Sequence, residues 1–81
     1  PPFTSVARLT LPLGRQDIEL LETDFDAGGM AMLRVRIREA RRFTIFDIDP
    51  VNAAAWGKAM QEWGDQAIAR ETQRQAAKVP E

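Results

Sequence analysis

The chain has 81 residues, with eleven basic and twelve acidic side chains, a net charge of −1, no histidine and no cysteine, and its pI is near 5.4. This composition allows one domain and excludes a disulfide staple, a zinc site of the Cys/His kind and a histidine general base. It also disfavours non-specific attraction to nucleic acid or anionic membrane, and no apolar run approaches the ~20 residues of a membrane span.

The N-terminus "PPFTSVARL" lacks the basic-then-apolar layout of a signal peptide. It also lacks an initiator Met, which is expected to reflect processing or trimming. Ala7, Leu9, Leu11 and Leu13 alternate with Arg8 and Thr10, the period of a strand over residues 6–13. Pro12 argues for an edge position, because proline cannot donate to a ladder. "LGRQD" turns the chain into a second strand over 17–25, with Ile18 and Leu20 on one side and Asp17, Glu19, Leu21 and Thr23 on the other. "DAGG" at 26–29 is a hairpin turn, and 30–38 is the third strand. "EARR" turns again into a fourth strand over 43–48.

A helix then begins at Asp49 as N-cap with Pro50 at the first helical position. Ile48 is placed to close on Ala53 as a hydrophobic staple. Trp56, Met60, Trp63 and Ala67 share one face, and Lys58, Glu62 and Asp65 share the other. Gly57 and Gly64 border the apolar face, and each weakens the helix by ~1 kcal/mol relative to alanine. The compensation expected is close approach of helix to sheet. After Ile68 no apolar stripe continues, so residues 69–81 are expected to be frayed helix and polar tail behind a domain of residues 1–68. The fold class is α+β, a four-stranded antiparallel meander followed by one C-terminal amphipathic helix (ββββα).

Leu33, Val35 and Ile37 alternate with Arg34, Arg36 and Arg38. If "DAGG" is a four-residue loop with Phe25 opposite Met30, Ile18 opposes Ile37 and Leu20 opposes Val35. On the other face Asp17 opposes Arg38, Glu19 opposes Arg36 and Leu21 opposes Arg34. A one-residue slip would destroy both sets of matches. Treating "EARR" in the same way brings Arg34 to Asp47 and puts Phe46 and Ile48 on the core face. The arginines are thus expected to pair with carboxylates across strands, at ~0.2–1 kcal/mol for each exposed pair. The core expected is Leu9, Leu11, Ile18, Leu20, Leu33, Val35, Ile37, Phe46, Ile48, Trp56, Met60 and Trp63. Truncating Trp63 would then cost ~3–5 kcal/mol.

The charged face also carries Leu21, Met32, Phe43 and Ile45, with Phe25 a further candidate. Apolar residues set among Arg34, Arg36 and Arg38 have the composition of a protein interface. A face of this kind needs a protein partner or a second copy of the chain. The same arginines with Phe43 offer the alternative of a nucleic-acid-binding or regulatory module. The carboxylates beside them and the acidic total count against nucleic acid as a partner.

Catalytic chemistry is not expected. "DFD" and "DID" pair carboxylates at i, i+2, where a hard cation could bridge them, yet Asp26 reads better as a turn residue and Asp49 as a cap. "DFDAGG" opens like a calcium loop without the later ligands. No serine or threonine has an activating base nearby in sequence, and neither Lys58 nor Lys78 lies in an apolar setting. Trp56 and Trp63 at helical spacing read as core rather than as a ligand stack. No cofactor or metal is expected.

The run "RIREARRFTIFDIDPVNAAAWGKAMQEWG" resembles the second half of small, uncharacterised bacterial single-domain proteins of the domain-of-unknown-function type. Those carry an R-hydrophobic-R-E strand, "RFT", and a D-x-D-P helix start followed by alanines and a late tryptophan. The resemblance spans residues 9–67. It implies a bacterial, cytoplasmic, single-domain protein and carries over no catalytic residue. The expected function is a non-enzymatic protein–protein interaction module, a small accessory subunit or homodimer that uses the open face of its sheet.

Overall fold

The computed structural model describes residues 3–24 and 29–78. Four strands, β1 (Thr4–Leu11), β2 (Gln16–Asp24), β3 (Ala31–Glu39) and β4 (Arg42–Ile48), form one sheet in the order β1-β2-β3-β4, and α1 (Pro50–Ala77) follows. All three pairings are antiparallel. This is the ββββα layout expected from the alternating first half and the helical second half.

The register is also the expected one. Ile18 pairs with Ile37, Leu20 with Val35, Glu19 with Arg36 and Asp17 with Arg38. Arg34 pairs with Asp47 and Val35 with Phe46. The proposed Phe25–Met30 pair and the "DAGG" turn involve residues outside the described set. The β3–β4 hairpin is tighter than a four-residue loop. Glu39 pairs with Arg42, so Ala40 and Arg41 alone form the turn, with Ala40 at φ 56°. In the β1–β2 turn Arg15, not Gly14, takes the positive angle, at φ 57°. Pro12 lies just past β1, within this turn, and β1 is an edge strand.

Helix α1 starts where the cap predicts. The Asp49 carboxylate accepts the Asn52 backbone N–H at 3.1 Å and the Asn52 Nδ2 at 2.6 Å. The far end corrects the sequence reading, because the helix is continuous through Ala77 and capped at Lys78, where 69–81 were expected to fray and trail off. Residues 69–77 are mostly Ala, Arg, Gln and Glu, strong helix formers that need no apolar stripe. Glu71 adds a pair with Arg74 and accepts from Gln75 at 2.9 Å. Residues 79–81 are outside the described set.

The expected core is corrected as well. Its sheet residues do share one face, and Phe46 meets Trp56 there, ring centroids 6.1 Å apart. Among the described residues, however, the buried side chains are Val35, at 4% exposure, and Thr23. Trp56, Met60 and Trp63 are exposed, Trp63 at 68%. Truncating Trp63 therefore removes little packing within its own chain. The helix touches mainly β3 and the Phe46 side of the sheet and then runs on past it. Nor does helix approach sheet closely at the glycines, since a Cβ added at Gly57 or Gly64 meets nothing within 4 Å. The molecule measures 64 × 30 × 16 Å with a radius of gyration of 17.3 Å, against about 12 Å for a compact chain of this length.

Candidate functional site

The side chains of alternate strand residues divide the sheet into two faces. The first collects the charges. Glu19, in β2, accepts Arg8 Nε at 2.9 Å from β1 and lies 3.6 Å from Arg36 Nη1 in β3. Asp17 accepts the Thr10 hydroxyl at 2.8 Å and pairs with Arg38. Arg34 makes a two-point contact with Asp47, Nε to Oδ1 at 2.8 Å and Nη2 to Oδ2 at 3.0 Å. Arg38, then Thr10, holds the Asp17 carboxyl below its usual range, and Arg34 does the same to Asp47.

Two of the guanidiniums also stack on rings. Arg36 lies 4.8 Å from the Phe43 centroid and Arg34 5.2 Å from that of Phe3. Arg8, Thr10, Asp17, Glu19, Arg36, Arg38 and Phe43 rim a shallow depression of about 600 Å³.

The residues expected on this face, Leu21, Met32, Arg34, Arg36, Arg38, Phe43 and Ile45, all lie on it. Leu21, Met32 and Arg34 are half-buried, whereas Phe43 and Ile45 are about half exposed. Three contributors were missed, Phe3, Arg8 and Thr10. The alternation of Arg8 and Thr10 with Ala7, Leu9 and Leu11 was visible, and pairing that strand with the second would have found them. Phe3 was not recoverable in this way, because the β1–β2 register shifts between Ser5 and Ala7 and changes the parity of everything before it.

The second face is apolar. Ala7, Leu9, Ile18, Leu20, Val35, Ile37, Phe46 and Ile48 fall on it. Its charged groups sit at the strand ends, in the Gln16–Glu39–Arg42 rung, where Gln16 Nε2 donates to Glu39 at 2.8 Å, and at Glu22 near the other end; Thr44, opposite Ile37, is the polar residue within the face. The helix shields the β3–β4 side, while Leu9 and Leu11 on β1 stay exposed.

Asp47 and Asp49 do not come together as a cation site. Asp47 is engaged by Arg34, and Asp49 caps the helix. Asp26 is outside the described residues. Among the described residues no group of three or more Asp, Glu, His or Cys is placed to hold a metal ion. No helix among them is long and apolar enough to cross a membrane.

Fold and site together define a small single-sheet ββββα protein, with one face knit by ion pairs and one apolar face that its own helix half covers. The chain belongs to a family of unknown function, DUF6967, whose model matches residues 1–66. The match takes in the whole sheet and the first part of the helix. No curated protein and no solved structure matches the chain.

Proposed function

We propose that this protein is a non-enzymatic protein–protein association module of a bacterial cytoplasm, a small subunit that completes its fold by joining another chain. One observation carries the reading. The chain exposes 6936 Å², whereas a compact monomer of 9.1 kDa exposes about 4,900 Å². The surplus is rich in large apolar side chains on the sheet and along the helix. Large exposed apolar surface on a soluble domain marks an association site. A chain this size has little core to lose and no disulfide in reserve.

The charged face offers the second surface. Phe43 and Ile45 stand exposed on it among Arg34, Arg36 and Arg38. Each of these arginines already has a carboxylate from its own chain. A phosphate backbone would have to displace those carboxylates, which weighs against nucleic acid.

Sedimentation velocity tests the proposal. The purified chain is expected either to run as a species heavier than 9.1 kDa or to show no cooperative thermal transition by itself. A monomer that melts cooperatively overturns the reading. Salt-sensitive binding of a labelled oligonucleotide, seen by fluorescence anisotropy, would replace it with the nucleic-acid alternative.

A further inference from the structure

We infer that the partner is a second copy of this chain, seated on the apolar face of the sheet and on the apolar stripe of the helix. The inference rests on the association reading and names its occupant and surface. Each chain presents two incomplete halves. Its sheet has an apolar face with Leu9 and Leu11 uncovered, and its helix has Met60 and Trp63 largely in solvent, with Trp56 half exposed beside Phe46. A sheet face is completed by a helix layer, and a helix stripe by a sheet. A second copy related by a twofold axis supplies both at once, because what each chain lacks the other carries in excess.

The direction of the helix, more than its length, keeps one chain from doing this alone. Twenty-eight helical residues extend about 42 Å, whereas nine strand residues extend about 30 Å. The helix as a whole overruns the sheet, but its apolar stripe ends at Ala67, about 26 Å from Pro50. Met60 and Trp63 thus stand in solvent because the helix diverges from the sheet, touching mainly β3. The area fits a dimer too. The surplus of about 2,000 Å² per chain, taken from both copies, sets an upper bound of about 4,000 Å². The polar turns 69–77 account for part of it, which leaves room for an interface of standard size, about 1,600 Å². Charge also points to this face and not the other. Its charged groups lie at the strand ends, giving a polar rim around a centre that is apolar apart from Thr44. Closing over the opposite face would desolvate Arg8, Arg34, Arg36 and Arg38 with their carboxylates.

Sedimentation equilibrium of the full chain and two variants, with fluorescence quenching of a third, tests the inference. The parent is expected at twice the chain mass. Trp63→Glu is expected to give the single-chain mass, and Ile45→Glu, on the opposite face, to keep the dimer. Trp63 touches little in its own chain, so Trp56→Phe, which leaves Trp63 as the sole tryptophan, gives a readout independent of folding defects. In the dimer its quenching by acrylamide is expected to fall severalfold below that of the urea-unfolded chain. A dimer whose Trp63 is quenched as freely as in urea overturns the inference. So does a dimer that Ile45→Glu dissociates and Trp63→Glu does not, although the association reading then stands with the charged face as its surface. A monomer without a cooperative melt overturns the second copy and leaves a different partner. A cooperatively folded monomer overturns both.

Discussion

Ala40 carries φ 56° at the tip of the β3–β4 hairpin, an angle that brings Cβ against the neighbouring carbonyl. Glycine removes the clash, so Ala40→Gly is expected to stabilise the fold by about 1 kcal/mol, measured as a higher urea midpoint with an unchanged slope. The aspartates make a second residue-level prediction. Arg34 holds Asp47 below its usual pKa, Arg38 holds Asp17 down, and Asn52 does so at Asp49. A carboxyl whose folded pKa is depressed binds fewer protons folded than unfolded. Its stabilisation is present above the unfolded pKa and is lost as pH falls through the folded one. The urea midpoint should therefore decline below about pH 4. Asp47→Asn should flatten part of that decline, and an unchanged acid profile would show that the Arg34 pair contributes nothing in solution.

At the scale of the element, α1 is governed by two different causes along its length. Its start is set by Asp49 and Pro50, and its last turns by helix propensity and the Glu71–Arg74 pair. Between them Gly57 and Gly64 weaken the helix without any close neighbour to justify them. Judged from the single chain, Gly64→Ala should gain about 1 kcal/mol and raise the thermal midpoint by about 4–8 °C. A fall in the midpoint would locate a neighbour from outside the chain at that flank of the helix. The sheet differs, because β2 and β3 are paired on both edges while β1 and β4 are not. Their pairing was legible because charges and apolar residues both matched in a single register. The β1 register was not, since a bulge leaves no mark in the alternation that precedes it.

For the whole molecule, one thin sheet and an overrunning helix make a fold with strong local order and little core. Amide hydrogen exchange should reflect this, with the slowest amides in β2 and β3 and fast exchange in α1 beyond Ala67. Slow exchange beyond Ala67 would mean that a neighbour reaches past the stripe to the last turns of the helix. The expected core fits this view once burial is separated from facing. Leu9, Leu11, Phe46, Trp56, Met60 and Trp63 do carry the apolar pattern of an interior. Within one chain nothing closes over most of them. Periodicity reports which side of an element is apolar, not what is placed against it.

By itself the sequence determined the order of elements, the antiparallel register of the last three strands and the helix start. These follow from neighbours in the chain and from pairs that a short turn holds in step. Only the tertiary structure decided that the helix leaves the sheet half covered, that Phe3, Arg8 and Thr10 join the charged face, and that Trp63 stands in solvent. The angle between helix and sheet, and a bulge between Ser5 and Ala7, are set by packing over long distances. No local spacing encodes them.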